Sequence, residues 1–188
     1  MQSGKILEKS RSPEEWECEG GNLPAAAEKF LKSAGRTYED VDILSVIRGP
    51  GSFTSLKILM TFAKGFRACL PNRPVIANDL FEILTHNQEC DAALLELGGN
   101  SVYAFDGQKY FLVNRDAPGD IFGKGKKIIT NSLFLLDLLK NNCRMVLGSF
   151  SDENIADINC DKAKRGAFGV ELSPLYIREP DVNLKKNE

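Results

Sequence analysis

Residues 45–66 read SVIRGPGSFTSLKILMTFAKGF: an apolar run, a Gly-Pro-Gly turn, then a helical pattern. A glycine turn leading into a helix is a common frame for phosphate, because free amides point out of the helix end. The spacing fits neither standard template. A Walker loop needs G-x-x-x-x-G-K-[ST], whereas Lys57 stands six residues after Gly51, inside the helix. The dinucleotide fingerprint needs glycine where Thr54 stands. Two readings stay open. Gly49, Pro50 and Gly51 make a tight turn and Ser52 or Thr54 caps the helix, or the exposed amides hold an anion.

Other reactive residue types form no set. His86 is the only histidine, and it falls at an expected helix end, where a basic group suits the dipole. The five cysteines, Cys18, Cys69, Cys90, Cys143 and Cys160, are scattered and free of CxxC spacing, which favours reduced thiols over a disulfide frame or zinc site. Ser52 lacks the G-x-S-x-G elbow. The run from Asp152 to Asp157 lacks the glycine and closing glutamate of a calcium loop and reads as a solvated face. Glu96 and Asp106 bracket the Gly98-Gly99 turn and read as an exposed strand-end pair.

These residues must be carried by alternating elements. A short strand is expected over residues 4–9, a loop or a ragged strand over 10–21, and an alanine-rich helix from Asn22 as N-cap, with Pro24 in its first turn and Gly35 as its stop. Residues 41–48 read as a central strand, 54–70 as a helix, 74–79 as a strand and 79–86 as a helix. After residue 91 come strands near 91–97, 101–106 and 108–114. A strand-helix-strand unit follows over 126–149, then a short helix within 151–170 and an extended tail over 173–182. This is an α/β pattern in two lobes, 1–88 and 89–188, joined by a link too short to be flexible.

The helix over 54–70 has too much apolar surface for one contact. Leu56, Leu59, Met60, Ala63, Phe66 and Leu70 form one stripe, and Ile58, Phe62, Gly65 and Cys69 a second. Together they span an arc of roughly 220°, where one core-facing stripe needs about 100°. One stripe should meet the sheet. The second should meet either a helix of this chain, with Ala25, Ala26 and Ala27 offering a suitable face, or another chain.

Length and composition set bounds. A chain of 188 residues can hold one domain or two small lobes. A formal charge of −2 gives no general attraction to nucleic acid or acidic membranes. No apolar run reaches the ~18 residues of a membrane span, and the first residues lack a signal-peptide core. A cytoplasmic location is the expectation, with no membrane contact.

The stretch from Arg48 to Thr54 resembles the signature R-G-P-G-S-F-T-G-[LVI]-R of the TsaB (YeaZ) proteins, with Ser55 in place of glycine and Lys57 in place of arginine. YEDVDILSVIRGPG is similar to that family's lead-in, PVIANDLFEIL to its next strand and helix, and SPLYIREPDV to its terminal P-x-Y-L-R. The resemblance covers about residues 22–105 and 171–182, in order.

It implies an actin/hexokinase-like (ASKHA, RNase H-like) fold with a shortened N-terminal lobe. The family's first hairpin, with the aspartate of its turn, is expected to have no counterpart, and residues 4–9 look like its third strand. The resemblance further implies a non-catalytic scaffold for synthesis of N6-threonylcarbamoyladenosine on tRNA. Such a subunit docks through its N-lobe helices on the catalytic relative TsaD, the ATPase TsaE binds the pair, and self-association uses similar helices. Contact with tRNA would be indirect, and no cofactor is expected beyond a nucleotide at a subunit interface. Gly49, Pro50, Gly51, Phe53, Ile58, Phe62, Gly65 and Cys69 are the expected partner-binding residues. The alternatives are a small-molecule kinase or ATPase of the same fold, a peptidase, and a homodimeric module of another pathway.

Overall fold

The computed structural model describes residues 22–116, 122–168 and 172–177. The strand expected over residues 4–9 and the tail beyond Ile177 lie outside these.

The first lobe opens with helix α1 (Leu23–Ser33), a 3-10 turn at Tyr38–Asp40, strand β1 (Leu44–Gly49), helix α2 (Phe53–Cys69), strand β2 (Val75–Asp79) and helix α3 (Leu80–Thr85). Proline in the first turn and Gly35 at φ +65° mark the limits of α1, as the sequence predicts. β1 and β2 pair in parallel, from Leu44 opposite Val75 to Gly49 opposite Asp79, with α2 as the crossover. Val46, Val75 and Ala77 from the strands meet Met60, Ala63 and Phe66 from α2 in one core. A segment from far along the chain completes that core, since Leu172 is buried in it.

The second lobe holds β3 (Ala92–Leu95), β4 (Ser101–Phe105), β5 (Tyr110–Asn114), β6 (Lys127–Thr130), α4 (Leu133–Leu139), β7 (Arg144–Leu147) and α5 (Asp152–Lys164). The strands lie in the order β5-β4-β3-β6-β7. β3 sits at the centre, antiparallel to β4 and parallel to β6, and all four of its residues are buried. Successive side chains of a strand face opposite sides of the sheet. Ala92 and Leu94 therefore pack with Leu135 and Leu139 of α4 on one face, while Ala93 and Leu95 pack with Phe81 and Leu84 of α3 on the other.

The lobes are joined by more than the short link. α3 belongs to the first lobe by sequence but seals a face of the second lobe's sheet. α5 returns the other way. Its Asn159 Oδ1 accepts 2.7 Å from Asn78 and 2.9 Å from Ser45, and its Lys162 donates to Glu82 at 2.8 Å and to the Ala77 carbonyl at 3.3 Å. The run from Asp152 is thus the start of a helix, capped by Ser151 and carrying acids in its first turn where the dipole favours them.

Candidate interaction site

α2 begins where the sequence predicts, and the cap is Ser52, whose hydroxyl accepts from the Ser55 amide at 3.4 Å. Four of the six residues of its first stripe, Leu56, Met60, Ala63 and Phe66, are buried, while Leu59 and Leu70 are half-buried. The second stripe is not covered by α1. Ile58 and Phe62 are half-buried, and Gly65 and Cys69 are exposed. No heavy atom approaches within 4 Å of where a Cβ on Gly65 would stand, so α1 does not make its close approach there.

Instead the stripe floors an apolar groove of about 650 Å³. Pro24 from α1 and Tyr38 and Glu39 from the 3-10 turn form one wall, and Lys57 and Thr61 stand at the other. Tyr38 fixes the wall. Its hydroxyl donates to the Pro24 carbonyl at 2.7 Å, and its ring lies 6.4 Å from both Phe62 and Phe66. α1 has no buried residue of its own, so it leans on α2 without filling the space.

The eight residues singled out from the sequence fall into two places. Ile58, Phe62, Gly65 and Cys69 line the groove together. Gly49 and Pro50 are buried at the turn, where Gly49 adopts φ +130° and lies against Leu175 of the same chain. Gly51 is exposed, and Phe53 stacks on Tyr176 with ring centroids 5.0 Å apart. Lys57 links the two places, since it lines the groove and its ammonium lies 4.2 Å from the Phe53 ring centroid.

Two polar clusters stand outside the groove. At the ends of β1 and β2, Asp79 is almost fully buried and its carboxylate accepts from the Tyr110 hydroxyl at 2.9 Å and from the Glu82 amide at 2.8 Å, with Arg48 at 3.5 Å. Burial raises the Asp79 carboxyl above its usual range, and burial beside Asp79 pushes Tyr110 up to about 12. The D-x-x-E spacing of Asp79 and Glu82 is a capping box and carried this signal in the sequence. Tyr110 had none, because it arrives from the other lobe.

Glu96 corrects the expectation of an exposed pair. It is largely buried, accepts from Ser132 and from Arg115 Nε, and is held below its usual range first by Ser132 and then by Arg115. Arg115 in turn lies 4.0 Å from the Phe134 ring centroid. Asp106 does something simpler, accepting from the Gln108 and Lys109 amides in the β4–β5 turn. Among the described residues, no group of three or more His, Cys, Asp or Glu is placed to hold a metal ion. No helix among them is long and apolar enough to cross a membrane.

The family model described as TsaD: tRNA N6-adenosine threonylcarbamoyltransferase matches residues 21–137. The chain belongs to this family. A tRNA N6-adenosine threonylcarbamoyltransferase from Maridesulfovibrio salexigens is 33% identical over 116 residues, which are 56% of this chain and 33% of that protein. The match therefore spans about a third of the transferase's length. Among solved structures, a protein from Pseudomonas aeruginosa described as similar to peptidase YEAZ superposes with TM-score 0.57 at 20% identity, over 86% of this chain and 85% of that one. YeaZ from the same organism superposes with TM-score 0.57 at 18% identity, covering 85% of each chain. The fold is thus the actin-like fold of the YeaZ (TsaB) proteins, as the motif resemblance implies.

Proposed function

We propose that this chain is a non-catalytic subunit acting in synthesis of N6-threonylcarbamoyladenosine on tRNA, docking on a catalytic TsaD subunit through the α1–α2 groove. The supporting observation is the groove itself. Four apolar-stripe positions of α2 line about 650 Å³ of open, largely apolar space that the chain's own helix leaves unfilled. A groove of this shape accepts an apolar helix face. Phe62, with Tyr38 packed beside it, is the natural anchor, since aromatic residues in central pockets dominate such contacts. The mild net charge of −2 agrees with tRNA being held chiefly by the partner. In this reading TsaE joins the assembled pair, and the compartment is the cytoplasm.

The test is association with the full-length TsaD of the same organism. Phe62→Asp places an unpaired carboxylate in the groove and should cost several kcal/mol of association, on the order of a hundredfold or more in affinity. Circular dichroism should show the variant folded. Undiminished co-elution of the folded variant with TsaD would remove the groove from the interface.

The family match favours a second reading, in which the chain contributes to the transfer reaction directly. Incubation of the chain with tRNA and threonylcarbamoyl-adenylate, without TsaD, separates the two: modified tRNA would establish catalysis.

A further inference from the structure

We infer that the end of the second lobe where β6 and β7 begin makes a direct, sequence-independent contact with the phosphate backbone of tRNA. This goes beyond the docking reading, which leaves tRNA chiefly to the partner, and takes from it only the identity of the RNA. The charges of the chain are unevenly placed. Between Phe122 and Phe150 stand Lys124, Lys126, Lys127, Lys140 and Arg144 against one acid, Asp137, although the whole chain carries −2. The fold gathers these cations at one end. β6 and β7 are parallel, so Lys127 and Arg144 open their strands side by side, and the crossover helix α4 returns to the same end at Lys140. The Gly125 amide donates to the Asn142 carbonyl at 3.0 Å and the Arg144 amide to the Lys126 carbonyl at 2.8 Å, which fixes the two runs against each other. Lys124 is exposed in the turn between Gly123 and Gly125.

Only some of these charges are matched. Lys126 pairs with Asp91 at 3.1 Å, and Lys140 pairs with Asp137. Among the described residues, Lys124, Lys127 and Arg144 make no ion pair. Lys127 and Arg144 are register partners on neighbouring strands, so two like charges share one face of the sheet. Such a pair is unfavourable, and an anion laid across the strand ends relieves it. The surface carries no apolar anchor. Its other exposed residues over 123–127 and 140–144 are Gly123, Gly125, Asn141 and Asn142. A protein interface concentrates aromatic and apolar side chains at its centre. Contact with a nucleic-acid backbone is instead made by lysine, arginine, asparagine and backbone amides. With no aromatic ring exposed there to stack a base, the contact holds the RNA without reading it.

The test titrates fluorescently labelled, unmodified tRNA with the full chain alone and follows anisotropy at salt from about 0.05 to about 0.2 M. Each variant is checked as folded by circular dichroism. Three phosphate contacts predict that affinity falls by roughly 20- to 40-fold over that range. Lys124→Glu/Arg144→Glu should bind about tenfold more weakly at the low salt and lose most of the salt dependence. Lys124→Gln/Arg144→Gln should lie between that variant and the unaltered chain. Lys64→Glu/Arg67→Glu makes the same change in net charge at exposed positions of α2 and should bind like the unaltered chain. Equal weakening by both charge reversals would reduce the effect to net charge and overturn the inference. Absent binding, or binding indifferent to salt, would do the same. The reversal at residues 124 and 144 is also assayed for association with full-length TsaD. If it loses TsaD and keeps tRNA, this end is a protein interface and the inference fails. Phe62→Asp should bind tRNA undiminished, so the docking reading can fall in co-elution while this contact stands.

Discussion

The Leu175 amide donates a 2.7 Å hydrogen bond to the Arg48 carbonyl, tying the end of β1 to a residue more than a hundred positions further along. The contact is local in space and invisible in sequence distance. It places the backbone of Leu175 directly over the Gly-Pro-Gly turn. A Cβ on Gly49 would stand 2.9 Å from the Leu175 carbonyl oxygen and 3.1 Å from Leu56 Cδ1.

Gly49→Ala is therefore expected to destabilise the fold by about 2–4 kcal/mol, combining an unfavourable φ of +130° with a backbone clash. Urea unfolding followed by far-UV circular dichroism measures it. A loss below about 1 kcal/mol would mean that the tail yields freely and does not pin the turn.

Gly148 tests how tightly the lobes are packed. A Cβ there would lie 2.6 Å from Leu84 Cδ1 and 2.8 Å from Ile129 Cγ2, both fully buried side chains. Gly148→Ala should cost about 1–3 kcal/mol by overpacking. Leu84→Ala alone should cost about 2–5 kcal/mol by leaving a cavity. Together they should cost less than the sum, because each relieves the other, and a double-mutant cycle from thermal unfolding reads the coupling. Simple additivity would place α3 further from Gly148 than this packing requires.

The Tyr110–Asp79 pair predicts a dependence on alkaline pH. In the unfolded chain the phenol ionises near 10, and in the folded protein at about 12. Between those values the folded chain holds more protons than the unfolded one, so stability falls as pH rises from about 10 to about 12. Asp79 acts in the same sense at acid pH. Its carboxyl is raised by burial, so its contribution falls as pH rises from the ordinary carboxylate value to the raised one. Tyr110→Phe should cost about 1 kcal/mol near neutrality through the lost hydrogen bond. That deficit should shrink between pH 10 and 12, because phenylalanine has no proton to lose. A deficit that stays constant across that range would assign the whole effect to packing.

Local pattern was enough for most of the elements. The apolar run of β3, the capped start and double stripe of α2, and the proline and glycine limits of α1 all depend on residues a few positions apart, where backbone geometry dictates the outcome. The motif from Arg48 to Thr54 also led to the right fold. The same reading could say that α2 had two apolar faces, because helical periodicity is a local property.

Which face stayed open was a matter for the tertiary structure. Tyr38 of the 3-10 turn bridges Pro24 of α1 and Phe62 of α2, and Gly65 stays uncovered. Glu96 was misjudged for a related reason. Its partners Arg115 and Ser132 lie 19 and 36 residues away, and only strand order brings them together. Gly49 and Pro50 read as a tight turn in the sequence, and only the structure shows both buried, with Leu175 of the chain's last described segment against Gly49. Short-range sterics wrote the helices and strands, and long-range packing decided which of their surfaces remain free for another molecule.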